Sequence, residues 1–376
     1  MRTKKLLCLS VFLFLLGCTQ ERRNDSDLIH INLRGTFPER EIRLDEIADI
    51  EFLQLETHDD FLFRGSPRVI TSEKIIFANF ITSDVIVFSR DGSPISRFNR
   101  QGGGPEEFPQ FRGFAFDEAT NEIFIGSVDR IMVYSLAGEF IRRLPLPERT
   151  SLRTSYDSES LLLYNRNIFY PSVKSRAVLF TIVSKKDGSI VSTINMPPVE
   201  QIVDLSVPVR IPGTDNFTSI GYHPYNRFND GFLLNIHASD TVFLHRNGKM
   251  MPFLVRTPSL RSTTPILLRS YLEAANFQLF TIERFNIQRL EPTIFLMRDK
   301  RTGSIYRQRI TFDDFRGQNV GIHSGLVKCS GIGLISLDLV ALQDANDEGL
   351  LSGRLQEIVE NSYEFGNNVF MLLHFK

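Results

Sequence analysis

Residues 74–99, KIIFANFITSDVIVFSRDGSPISRFN, decide the fold. They read as an apolar run, a polar turn, a second apolar run, a turn at Gly92 and a third run, the pattern of consecutive antiparallel strands. Residues 121–146, NEIFIGSVDRIMVYSLAGEFIRRLPL, lie over them with Gly138 in the place of Gly92. The signature returns in VLFTIV before Lys186-Asp187-Gly188, in TVFL before Asn247-Gly248, and in TIFL before Arg301-Thr302-Gly303. Asp-Gly and Asn-Gly between apolar runs mark hairpin turns, because those turns need positive φ.

The five glycines stand 46, 50, 60 and 55 residues apart. A period near 40 to 50 residues with several strands per repeat is the mark of propeller blades. The widest spacing holds residues 211–229, which read as an inserted loop. The next holds residues 265–285, where Leu268, Tyr271, Leu272 and Ala275 follow a helical period after Pro265 and predict a short helix. Two half-patterns remain, one at each end: strands at 41–44 and 50–55, and the closing runs 331–342 and 368–375, with a short helix over 354–360. Joined, they complete a sixth blade and remove the exposed edges of an open array. The expected fold is therefore an all-β, six-bladed β-propeller closed by N- and C-terminal strands. A β-sandwich is the competing architecture, but it does not account for a half-pattern at both ends.

The first residues are a processing segment rather than part of the fold. Arg2, Lys4 and Lys5 precede an apolar stretch over 6–16, too short for a span of roughly 20 residues. Its end, Leu15-Leu16-Gly17-Cys18, resembles the lipobox of bacterial lipoproteins, which implies cleavage before Cys18 and lipidation of its thiol. The organisation expected is a signal peptide over 1–17, a lipidated tether over 18–28 and the propeller over 29–376. Thr19-Gln20 lacks the aspartate associated with inner-membrane retention, so the expected address is the outer membrane, with the periplasmic and cell-surface sides both open.

Loss of Arg2, Lys4 and Lys5 takes 43 basic residues to 40 against 44 acidic, a formal charge of −4. That balance argues against nucleic acid as a partner, and a monomer is expected. Cys8 leaves with the signal and Cys18 is taken by lipid, so Cys329, among apolar neighbours, reads as a small buried residue. The 32 Phe, 9 Tyr and absence of Trp suit half-buried sheet surfaces.

The stretch RQGGGPEEF over 100–108, followed by GFAFD at 113–117, EIFI at 122–125, DRIMVY at 129–134 and GEFI at 138–141, resembles one NHL repeat nearly end to end. With the lipobox, IADIEFLQLET at 47–57 and NNVFMLLHFK at 367–376, the chain resembles the six-bladed β-propeller lipoproteins of Gram-negative gut-type bacteria. Glu106 departs from the glycine usual after the proline. The resemblance implies the NHL-like fold and export; it implies no particular activity, since propellers host binders, scaffolds and enzymes alike.

Candidate sites are few. The Gly102-Gly-Gly-Pro105 turn lacks the Lys-Ser/Thr of a phosphate loop, and Ser324 in Gly321-Ile-His-Ser-Gly325 is one place late for a nucleophile elbow. Seven histidines show no helical zinc spacing, so neither a catalytic set nor a metal set is assigned. No cofactor is expected, with Ca²⁺ kept open because propeller channels gather oxygen ligands from several blades; Asp313-Asp314 and the acidic run 344–347 read as solvated turns. The strongest surface candidate is GYHPYNRF over 221–228, a loop in which Tyr222, His223, Tyr225, Arg227 and Phe228 offer aromatic area and a guanidinium to a sugar, peptide or protein. Two functions stay open: a non-catalytic ligand- or protein-binding module on a lipid anchor, and a hydrolase resembling the six-bladed lactonases, with a divalent cation in the central channel. The second needs a converging acid and amide set, for which Asp129, Asp204 and Asn235 are the residues to inspect.

Overall fold

The computed structural model describes residues 28–63, 65–165, 178–195, 206–210, 217–221, 225–228, 231–235, 239–259, 266–286, 289–290, 292–320, 322, 332–363 and 366–376. Residues 1–17, expected as a signal peptide, Cys18 and Cys329 lie outside the described residues.

Five sheets have four or more strands. The first is Val69–Ile70, Lys74–Ala78, Asp84–Ser89 and Pro94–Asn99. The second is Gly113–Asp117, Glu122–Gly126, Arg130–Tyr134 and Phe140–Pro145. The third is Thr150–Ser155, Ser160–Asn165, Val178–Ser184 and Ile190–Asn195. The fourth is built on Tyr225–Phe228, Gly231–Leu234, Thr241–Arg246 and Lys249–Thr257. The fifth is built on Ile266–Glu273, Phe277–Asn286, Ile294–Asp299 and Ile305–Phe312. Successive strands of each pair antiparallel in chain order. The protein is an all-β propeller with about five such blades.

All five glycines of the repeat adopt positive φ, +96° at Gly92, +79° at Gly138, +74° at Gly188, +70° at Gly248 and +75° at Gly303, as the hairpin reading requires. Within a blade the period of two divides each strand between two apolar layers. Ile76, Ala78, Val85 and Val87 pack with Phe114, Ile123 and Ile125 of the second sheet; Ile75, Phe77, Ile86 and Phe88 pack the other way, against Leu334, Phe370 and Leu372. The same division repeats between the second and third, third and fourth and fourth and fifth sheets. First strands lie innermost: a Cβ at Gly113 would collide with the Leu152 carbonyl of the next sheet's first strand. Last strands lie outside, with Ile95, Ile141, Ile190 and Val191 exposed.

The chain ends meet in a three-stranded sheet. Val369–Phe375 pairs antiparallel with Ile332–Leu337 on one side and with Ala48–Leu53 on the other. Its two faces meet the first sheet and the fifth. The helices Leu339–Asp347 and Gly353–Glu360 cover this rim through Leu342, Leu355 and Ile358.

Three expectations are corrected. Within the stretch 265–285, where a helix was expected, the described residues form the strands Ile266–Glu273 and Phe277–Asn286. The helical spacing of Leu268 and Leu272 is produced by a bulge between Ser270 and Leu272, which turns the strand over, so Leu268 faces the fourth sheet and Leu272 the terminal one. The early strand, Glu39–Arg43, does not join the terminal sheet; it runs parallel along the outer edge of the fifth, as Ile29–Asn32 does on the fourth. The N-terminal segment thus covers three consecutive sheet edges, the first two in parallel pairings that no local turn announces. Finally, the inserted loop over 211–229 contains the strand Phe217–Gly221, which pairs with Ser206–Arg210 just ahead of the loop, and the first strand of the fourth sheet, Tyr225–Phe228.

Candidate functional site

Three of the five expected loop candidates, Tyr225, Arg227 and Phe228, are therefore strand residues, and alternation sorts them. Phe228 is buried among the fourth and fifth sheets, edge-on to Phe253 at 4.8 Å, and is core. Tyr225 and Arg227 share the opposite face, towards the third sheet. Tyr225 is buried, edge-on to Phe180 and Phe232. The Arg227 guanidinium lies 5.0 Å over the Phe232 ring, and its Nη2 donates to the carbonyls of Ser155 (3.1 Å) and Tyr156 (3.2 Å). Tyr222 and His223 lie outside the described residues.

Two further arginines approach Tyr225 from other blades. Arg153, on the first strand of the third sheet, lies 5.1 Å over Tyr164, and its buried Nε has no hydrogen-bond partner. Arg68 adjoins the first strand of the first sheet, its backbone N–H donating to Ile76 and its guanidinium 4.6 Å over Phe80. Burial pushes the Tyr225 phenol up to about 12, against the pull of Arg153, Arg227 and Arg68. Burial likewise lowers Arg68 and Arg227, opposed by Tyr225 and, for Arg227, also by Asp157. Among the described residues no carboxylate forms an ion pair with any of these three arginines. Ser151 and Ser270, on the first strands of the third and fifth sheets, bury hydroxyls without partners.

The three arginines are half-buried and have no carboxylate partner among the described residues. Buried charge is costly unless paired, and guanidinium offers planar paired donors matched to carboxylate and phosphate oxygens.

The acid and amide set does not assemble among the described residues. Asp129 is on an exposed turn, paired with Arg130 at 2.8 Å, and Asp204 lies outside the described residues. Asn235 is buried at the end of the strand Gly231–Leu234 with both amide atoms unpartnered. No three His, Cys, Asp or Glu among the described residues come together as metal ligands. Sequence reasoning missed Arg68 and Arg153. Their only signal is an arginine in or just before a blade's first strand, in RVI at 68–70 and SLRTS at 151–155.

Residues 28–257 match the family described as Domain of unknown function (DUF4934). The chain belongs to the DUF4934 family. The match opens on the strand Ile29–Asn32 and ends on its parallel partner Lys249–Thr257, and it contains Arg68, Arg153, Tyr225 and Arg227. Among solved structures, a Bacteroides fragilis protein described as exported superposes with a TM-score of 0.61 at 16% identity, over 93% of this chain and 100% of that one. The propeller domain of the Trilobed protease of Pyrococcus furiosus gives a TM-score of 0.33 at 11% identity, covering 73% and 91%. The Neurospora crassa Pan2 WD40 domain gives 0.36 at 10%, covering 86% and 95%. At 16% identity the Bacteroides fragilis likeness speaks for fold alone, and the DUF4934 propeller stands on its own sheets. No curated protein matches the chain. No described helix is long and apolar enough to cross a membrane.

Proposed function

We propose that this DUF4934 protein is an exported lipoprotein, held by Cys18 to the outer membrane, whose six-bladed propeller binds an anionic ligand in its channel without transforming it. The terminal sheet serves as the sixth blade in this reading, supported by its contacts with the first and fifth sheets. The observation that carries the binding role is three half-buried guanidiniums, Arg68 over Phe80, Arg153 over Tyr164 and Arg227 over Phe232, which all act electrostatically on the buried Tyr225 and have no carboxylate partner among the described residues. Charged donors shielded from water bind oxyanions more strongly than exposed ones. Calorimetric titration of the full chain in detergent with galacturonate, phosphate and glucose tests the role. Binding of an oxyanion, weakening with salt and lost in Arg153→Met and Arg227→Met, is expected. Equal affinity for glucose, or no effect of either substitution, would refute it.

A further inference from the structure

A second site lies at the seam where the chain ends meet. A cleft of about 470 Å³, within the roughly 300–1,000 Å³ of small-ligand pockets, opens between residues 54–58, the Gly92 turn, the end of the helix Gly353–Glu360 and the approach to the strand Val369–Phe375. Its frame is fixed by hydrogen bonds. Asn367 Oδ1 accepts from the Phe63 N–H at 2.8 Å, and its Nδ2 donates to the carbonyls of Glu56 (3.1 Å) and Phe61 (3.2 Å). Glu56 donates its backbone N–H to Gly92 at 3.0 Å and its carboxylate accepts from Ser93 Oγ at 3.0 Å.

The lining selects a chemistry. Asn368 lines the cleft at 9% exposure, and its amide has no hydrogen-bond partner among the described residues, which leaves donors and an acceptor unspent. Glu56 and Asp91 add carboxylate acceptors, and no lysine or arginine lines the space, so it disfavours anions. The many amides and hydroxyls disfavour an apolar guest. Tyr363, 72% exposed, stands at the edge and offers a ring face with a polar tip. Interleaved amide and carboxylate groups beside an open aromatic ring match a molecule whose hydroxyls both donate and accept while its C–H face is apolar. We infer that this seam cleft binds a neutral saccharide, independently of the anion site in the channel.

The test is a printed array of neutral hexose and N-acetylhexosamine oligosaccharides, with uronic-acid and amine-bearing counterparts, probed with the full chain in detergent. Retention of neutral glycans is expected, falling at least tenfold in Tyr363→Ala and in Asn368→Ala and unchanged in Arg227→Met. Tyr363 is exposed, so its variant separates lost contact from lost folding. Neutral glycans retained equally by both cleft variants, no neutral glycan retained, or amine-bearing probes alone retained would overturn the inference. Loss of uronic-acid binding in Arg227→Met reports on the channel and leaves this result distinct.

Discussion

Lys185 Nζ lies 2.9 Å from Asp117 Oδ2, with both side chains more than nine-tenths buried at the junction of the second and third sheets. The same ammonium donates to the carbonyls of Asp157 (2.8 Å) and Ser158 (3.1 Å), so its three donors are all used. Asp117→Ala strands that charge, and a loss of about 3–5 kcal/mol in denaturant unfolding is expected. Asp117→Leu with Lys185→Met should recover most of it. A single-variant cost below about 1 kcal/mol would mean the ammonium finds water instead.

The repeat glycines differ in what surrounds them. A Cβ at Gly92 would collide with the Gln54 carbonyl, whereas Gly303 faces open space. Gly303→Ala should cost only its left-handed backbone, about 1 kcal/mol, and Gly92→Ala clearly more because the seam strand must shift. Equal midpoints in a urea series would contradict the packing described for residues 54–58.

Closure of the ring is open to covalent trapping. Asp49 and His374 are register partners near the exposed ends of their strands. A disulfide between Asp49→Cys and His374→Cys would link the two chain ends and raise the melting temperature under oxidising conditions, a stabilisation of roughly 2–4 kcal/mol reversed by reductant. Failure of the pair to oxidise would disprove the pairing.

His245 is buried beside Tyr156, whose hydroxyl lies 3.4 Å from Nδ1, and burial lowers its pKa. The unfolded chain therefore takes up the proton first as pH falls below about 6.5. Stability is full above that value, declines as pH drops towards the folded pKa and levels off beneath it. His245→Phe should flatten unfolding free energy between pH 7 and 5. For Glu51, burial works to raise the pKa, but His374 and Arg90 together hold it below the usual value; Glu51→Gln should act only in the more acid carboxylate range. Identical slopes for wild type and His245→Phe would contradict this assignment.

Hairpins were legible because their cause is local. Gly92, Gly138, Gly188, Gly248 and Gly303 mark turns by their own φ, and Gly353–Glu360 forms the helix expected at 354–360. Parallel addition of Ile29–Asn32 and Glu39–Arg43 was not legible, since the partners lie more than 200 residues away and no turn fixes their register. Tyr225 and Arg227 were picked out by composition but placed in a loop, because Pro224 and Asn229-Asp230-Gly231 punctuate a strand of four residues. Arg68 and Arg153 each resemble an ordinary surface arginine in sequence. Only the ring brings them to Tyr225.

The most direct measurement is anomalous diffraction from crystals of the full chain soaked in selenate, a tetrahedral oxyanion. The expected result is a selenium peak in the channel within hydrogen-bonding reach of Arg68, Arg153 and Arg227, absent in Arg153→Met. A channel without a peak, while selenate occupies other surfaces of the same crystal, would contradict anion binding at the propeller axis.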